Sequence, residues 1–265
     1  MSKLILVTND DGIHAKGIQT LTRLMAPLGE VYVVAPDSAR SGAGCSITPT
    51  RAVEIRHLQD LEEPHNRTTA QPHNPIHLWS CSGTPVDCVK LACEQVVPRQ
   101  PDLIASGINH GDNASISLHY SGTMGAVFEG CMKDIPSIGY SLRTGNPDAD
   151  FTPYGNSIVK IASHILSTGL PHHTCLNVNY PEVPVLQGTR VCRLADGSWS
   201  AEWLSAHHPY GKKMFWLTGH FTNLEPLAED TDYWALDHGY GAVTPIKMDM
   251  TDYDLLSELS IFNLK

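Results

Sequence analysis

The chain lacks the marks of several common protein classes. No apolar run in its 265 residues approaches the roughly 18 needed to cross a bilayer, so no membrane-spanning helix is expected. Basic side chains are outnumbered, with 18 Lys and Arg against 28 Asp and Glu. The resulting charge of -10 argues against an extended nucleic-acid partner, whose phosphates require a cationic face. A single nucleotide at a small cationic site remains compatible with it. The seven cysteines are odd in number and scattered, without a C-x-x-C pair. Neither a zinc ribbon nor a thioredoxin-type motif is therefore expected, and most of them read as small, reduced, buried hydrophobes. Fourteen histidines are present but no H-E-x-x-H, and the doublets His172–His173 and His207–His208 read as loop residues rather than ligands. No G-x-G-x-x-G follows the first apolar run, as a nicotinamide dehydrogenase would need, and no G-x-S-x-G elbow of a serine hydrolase occurs. Met-Ser-Lys runs at once into a strand-like segment, leaving no room for a signal peptide. A soluble, cytoplasmic protein is the expectation.

With 42% hydrophobic residues, the chain can bury one large core or two modest ones. Leu4 to Val7 is an unbroken apolar run, suited to a strand buried on both faces, and it stops on Asn9, Asp10, Asp11 and Gly12. Two adjacent carboxylates at the exit of a buried strand repel each other. A cation relieves that repulsion, and hard carboxylate oxygens suit Mg²⁺ or Mn²⁺. The plainer reading is a solvated turn, since all four residues are good turn formers. A helix follows from Ile18 through Leu21, Met25 and Leu28, and Glu30 to Ala35 reads as a second buried strand. That strand leads into Pro36–Ser46, a loop of small and polar residues that offers Ser41 as an oxygen ligand and backbone N–H groups to an anion.

Residues 57–75 are polar and rich in Pro, His and Asn, and read as an exposed excursion or hairpin tip. Ile76–Cys81 is a strand, and Thr84-Pro85-Val86-Asp87 has the form of a capped helix start with Val86, Val89 and Cys93 as its buried stripe. Asp102–Ser106 is a short buried strand opening into Gly107–Asn113, which carries Asn109 and His110. Ser121-Gly122-Thr123 caps a helix whose Met124, Val127, Phe128 and Cys131 fall on one face. Its start gathers two hydroxyls, backbone N–H groups and the positive end of the helix dipole, a ready anion cradle. A strand at Pro136–Ser141, a helix around Ile158–Ile165 and a strand at Cys175–Tyr180 continue the alternation. That order predicts a mainly parallel sheet covered on both faces. Beyond about residue 185 it gives way to short strands and turns with Trp199, Trp203, Trp216 and Trp234, and Leu255–Leu264 reads as a short terminal helix. Residues 1–185 are thus expected to be an α/β core and 186–265 a β-rich extension, both within one domain.

Ligands of open parallel sheets bind outside the carboxyl ends of the strands. Asp10, Asp11, the Asp37–Ser46 loop and Asn109 all sit at such ends. If those strands are neighbours, two acids, a serine and an amide meet at one edge, with Ser121-Gly122-Thr123 facing them. Hard oxygen donors beside an anion cradle point to phosphoryl transfer or hydrolysis. Asp10 and Asp11 are adjacent rather than in the D-x-D spacing of a haloacid-type phosphatase.

Thr8–Ala15, Val34–Asp37, Arg40–Gly44, Gly83–Val89, Ser106–Asn109, Tyr120–Thr123, Leu176–Asn179, Asp230–Tyr233, Gly239-Tyr240 and Thr244-Pro245 together resemble the SurE family of 5′(3′)-nucleotidases. The resemblance runs in order over roughly residues 4–250. It implies a Rossmann-like three-layer α/β/α fold and a divalent-metal phosphatase acting on nucleoside monophosphates. It also implies one Mg²⁺ or Mn²⁺ per subunit on Asp10, Asp11, Ser41 and Asn109. Asp10, Asp11 and Asn109 become the expected catalytic set, and Asn9, Gly42, Ser121, Gly122 and Thr123 the expected phosphate-binding set. Family members assemble as dimers or tetramers that exchange C-terminal elements, which implies a homodimer or homotetramer here. The competing expectation is a metal- and nucleotide-binding regulatory module without turnover. The chain departs from the family pattern at Lys16, Cys45, His110, Asp112 and Ser115–Ser117, beside the implied ligands rather than in them. Cys45 and His110 are expected to flank the pocket.

Overall fold

A computed structural model describes residues 2–61 and 74–262. In chain order the elements are β1 (Leu4–Thr8), α1 (Lys16–Met25), β2 (Glu30–Pro36), β3 (Ile55–Leu61), β4 (Ile76–Cys81), α2 (Pro85–Leu91), β5 (Leu103–His110) and α3 (Gly122–Met132). β6 (Ser137–Arg143), α4 (Gly155–Thr168) and β7 (Thr174–Pro181) complete the alternating part. Five short strands, β8 (Thr189–Val191), β9 (Gly197–Ser200), β10 (Trp203–Ala206), β11 (Met214–Leu217) and β12 (His220–Asn223), then precede α5 (Asp232–Asp237), β13 (Gly241–Lys247) and α6 (Tyr253–Glu258).

The central sheet runs β3-β4-β2-β1-β5-β6-β7-β13-β8. Strands β4, β2, β1, β5, β6 and β7 are mutually parallel, while β3 and β13 are antiparallel to their neighbours β4 and β7. Chain order reverses between β1 and β5, so the carboxyl ends of those two strands form the switch point of the sheet. The unbroken apolar runs of the parallel strands feed two cores. Ile5 and Val7 of β1 join Ile18, Leu21 and Met25 of α1 and Ile158 and Ala162 of α4 on one face. Leu6 joins Cys88 and Val89 of α2 and Ala126 of α3 on the other. This is the period-two alternation of a strand with no solvent-facing side.

Local signals act where they were expected. Thr84 caps α2 through a reciprocal capping box with Asp87, and Pro85 opens its first turn. Ser121 caps α3 by accepting from the Met124 N–H at 3.0 Å. Two stretches differ from expectation. Residues 57–61 of the anticipated polar excursion belong to strand β3, in which Ile55 pairs with Cys81 and His57 with Trp79; an edge strand packs on one neighbour only and tolerates polar residues. Residues 62–73 of that excursion lie outside the described residues. β5 does not open at Ser106 but runs on to His110, with a register shift against β6 between Ser106 and Asn109. Gly107 permits this, because its φ is +124° and a Cβ there would sit 2.2 Å from the Tyr140 carbonyl oxygen.

The last third of the chain leaves the sheet and returns to it. β8 and β13 belong to the central sheet, whereas β10–β11 and β9–β12 are separate antiparallel pairs. Among the described residues, no helix is long and apolar enough to cross a membrane.

α1 packs directly on β5, and a Cβ on Gly17 would lie 2.0 Å from the Ile108 carbonyl oxygen. Helix propensity alone favours alanine over glycine by about 1 kcal/mol. The clash with rigid backbone reverses that sign, so Gly17→Ala is expected to lose about 1–3 kcal/mol of stability, seen as a lower urea midpoint with an unchanged slope.

Candidate functional site

The first turn after β1 is built by Asn9, whose side-chain nitrogen donates to the Gly12 carbonyl at 3.0 Å. Gly12 adopts φ +96°, and Ile13 N–H donates to the Pro36 carbonyl at 2.8 Å, tying this turn to the end of β2. The Arg40 N–H donates to the Asp10 carbonyl at 2.7 Å, which brings the loop carrying Ser41 and Gly42 over the same edge. α3 approaches from the other side so closely that a Cβ on Gly125 would lie 2.2 Å from the Gly44 carbonyl oxygen. Three chain segments distant in sequence therefore converge on the carboxyl ends of β1 and β5.

Asp10 is 4% exposed. The Thr123 hydroxyl donates to its Oδ1 at 2.5 Å, and a Cβ on Gly122 would stand 2.8 Å from its Cβ and Oδ2. Burial pushes the Asp10 carboxyl up to about 6; the Thr123 hydroxyl pulls it down and the charge of Asp11 pushes it up again. Asp11 accepts the His110 backbone N–H at 3.2 Å through Oδ2, with the His110 ring nitrogen 3.8 Å from the same oxygen. Burial raises the Asp11 carboxyl as well, offset by His110. Among the described residues, no lysine or arginine bridges either acid. Asn109 donates from Nδ2 to the Gly111 carbonyl at 2.7 Å, which leaves Oδ1 as its acceptor.

A cleft of about 340 Å³ opens on this edge, lined by Asp10, Ser41, Gly42, Asn109 and Ser121 from the sequence-derived set. Asn9, Asp11, Gly122 and Thr123 are not among the residues that line it. Asn9 is fully buried and its Oδ1 has no hydrogen-bond partner. The Thr123 hydroxyl is engaged with the Asp10 carboxylate, while Ser121 faces the cleft at the start of α3. Of the two residues expected to flank the pocket, His110 lines it, but Cys45 is exposed and outside the lining. His14 borders a separate hollow with Gln19 and Arg23.

The far wall of the cleft comes from residues with no local signal in sequence. Tyr120, Trp199, Leu217 and Thr218 close it, with Asp112 and Glu202 among its acids. Trp199 packs edge-on against Phe221 with ring centroids 5.6 Å apart. The cluster of tryptophans after residue 185 was the one signal pointing to this region, and it carried no information on where the chain would return.

The donor chemistry fits a hard divalent cation. Two desolvated carboxylates lack a lysine or arginine partner among the described residues, the Asn109 side-chain oxygen is left as an acceptor, and the buried Asn9 oxygen is unsatisfied. No thiol or histidine ring nitrogen displaces this oxygen set from the first positions. Fold and site together define a Rossmann-like α/β protein with an oxygen-lined cleft at its switch point. The profile of the family described as "Survival protein SurE" matches residues 5–201. The 5′-nucleotidase SurE of Phocaeicola vulgatus is 49% identical over 262 residues, covering 99% of this chain and 97% of that protein. That of Bacteroides thetaiotaomicron is 51% identical over 257 residues, covering 97% and 95%. The crystal structure of the SurE protein from Aquifex aeolicus superposes with a TM-score of 0.78 at 32% identity, over 97% of this chain and 98% of that one. The chain belongs to the SurE family.

Gly122→Ala would force the Asp10 carboxylate away from the start of α3. It is expected to weaken Mn²⁺ binding at least tenfold in calorimetry, with the far-UV circular dichroism unchanged.

Proposed function

We propose that the chain hydrolyses nucleoside 5′- and 3′-monophosphates to nucleoside and phosphate. In this reading one Mg²⁺ or Mn²⁺ per subunit is held by Asp10, Asp11, Ser41 and Asn109. The observation that carries it is the meeting of Asp10, Ser41 and Asn109 with Ser121 of the α3 start in one cleft, with Asp11 held beside Asp10 by the His110 N–H, in a chain whose curated relatives are named as 5′-nucleotidases. A bound divalent cation would screen the phosphate charge and ease attack by water. The protein's own groups do the positioning. Ser121 and Gly42, which line the cleft, receive phosphate oxygens through hydroxyl and backbone N–H, and Thr123 and the His110 N–H fix the two carboxylates. No general acid is assigned.

The cleft's far wall suits the nucleoside. Trp199, Tyr120 and Leu217 offer aromatic and apolar surface on which a base can lie, and such stacking is worth about 1–3 kcal/mol per base. Ser41 is the rival nucleophile. Its hydroxyl has no hydrogen-bonded base among the described residues, so direct attack by water, with inversion at phosphorus, is the favoured course. Net retention in a chiral thiophosphate experiment would favour Ser41 instead.

The regulatory-module reading predicts binding without turnover, and phosphate release with and without Mn²⁺ separates the two. Asp10→Asn and Asp11→Asn are each expected to lower kcat/KM for a nucleoside monophosphate by at least a hundredfold with the fold intact; full turnover by either removes it from the metal site. Trp199→Ala is expected to raise KM for nucleotides about tenfold or more while leaving p-nitrophenyl phosphate hydrolysis nearly unchanged.

Self-association belongs to the same proposal. Trp203, Leu204, Phe215 and Trp216 on the β10–β11 pair are 55–68% exposed, an apolar surface that a second copy of the chain would cover. A homodimer or homotetramer is expected in light scattering at micromolar concentration, and Trp203→Glu/Trp216→Glu is expected to shift it toward monomer. A cytoplasmic location is part of the reading.

A further inference from the structure

At the opposite edge of the sheet, where β6 and β7 begin, Asp134, His172 and His173 are gathered. Each offers one ligand atom, and the three atoms lie within 4.8 Å of one another. His172 Nδ1 is 2.5 Å from Asp134 Oδ1, and the two imidazoles stack with centroids 3.7 Å apart. Asp134 and His173 both hold left-handed backbone, with φ of +57° and +55°, a conformation that non-glycine residues adopt sparingly. The two left-handed turns, one after α3 and one before β7, aim the side chains at each other. The trio borders a cavity of about 280 Å³ that also touches the buried Cys131.

We propose that Asp134, His172 and His173 form a second metal site, selective for a borderline transition ion of the Zn²⁺ class and separate from the oxygen site at the switch point. Two imidazole nitrogens and one carboxylate oxygen are the donor set that such ions favour and that Mg²⁺ does not. Tetrahedral binding at bonds of roughly 2.0–2.2 Å brings ligand atoms to about 3.4 Å apart. The His172–Asp134 pair, at 2.5 Å, would open by about 0.9 Å and the wider separations close by up to about 1.4 Å. The side chains of His172 and Asp134 are 69% and 59% exposed, so that shift moves no core residue. Three protein ligands leave a fourth position open to water or to a small anion. The ion would join the end of α3 to the entry of β7, and through the Met248 N–H on the His173 carbonyl, at 2.9 Å, to the end of β13.

The test is titration of tag-free full-length protein with zinc chloride by calorimetry, in buffer containing saturating Mg²⁺. Wild type is expected to bind one zinc per chain. Asp11→Asn should retain that binding, whereas His172→Gln/His173→Gln should weaken it at least tenfold and Asp134→Asn severalfold. Cobalt(II) should give visible absorption bands of a nitrogen-ligated ion that vanish in the double histidine variant. That variant should keep its Mg²⁺-supported phosphate release and its melting temperature without zinc. An identical zinc isotherm in wild type and the double variant would mean that the trio is an ion pair only and overturn the proposal. So would loss of zinc binding in Asp11→Asn, which would place the ion at the switch point. None of these binding readouts depends on the nucleotidase reading.

Discussion

The hydrogen bond from Thr123 to Asp10 is the contact on which the site depends. It joins the turn after the first strand of the sheet to the start of a helix 113 residues later, at a carboxylate that is 4% exposed. A carboxylate so deeply buried is costly unless its charge is met. The Thr123 hydroxyl and the positive end of α3 meet part of it, and Asp11 next door adds to it. The remainder is an electrostatic demand of the kind a divalent cation would meet in the proposed reading.

The surrounding packing serves that contact. Gly122 and Gly125 carry no side chain because α3 must approach Asp10 and the Gly44 carbonyl within distances that a Cβ would close. Gly107 lets β5 carry Asn109 past the point where an ordinary residue would collide with β6. Gly125 and Gly107 face neighbouring backbone, which cannot give way as a flexible side chain would, whereas Gly122 faces the Asp10 side chain itself. The site's geometry is thereby inherited from the sheet rather than from the loops that supply most of its side chains.

How much of this could be read from residues alone follows a physical line. Strand β4, the Thr84 capping box and the buried face of α3 are determined by contacts a few residues apart, and they stand where the spacing put them. The meeting of Asp10, Ser41, Asn109 and Ser121 was also legible, because ligands at strand exits converge whenever the strands are neighbours. Three features were not. β3 is an edge strand whose partner, not its own pattern, makes it a strand. β5 continues through a glycine that reads as a turn signal until the Tyr140 carbonyl is seen beside it. Thr123 looked like a phosphate ligand because the cap suggested hydroxyls facing out, whereas its hydroxyl turns inward to the carboxylate.

The excursion between β8 and β13 bears on how such a protein diverges. Both of its ends are fixed in the central sheet, so the intervening hairpins form a closed insert on an otherwise complete scaffold. That insert brings Trp199 and Leu217 to the cleft and presents Trp203 and Trp216 outward. Changes within it can alter what the cleft admits and what the surface adheres to, while the four oxygens around Asp10 keep their places. Chemistry and clientele are thus carried by separable parts of one chain, and drift in the second need not erode the first.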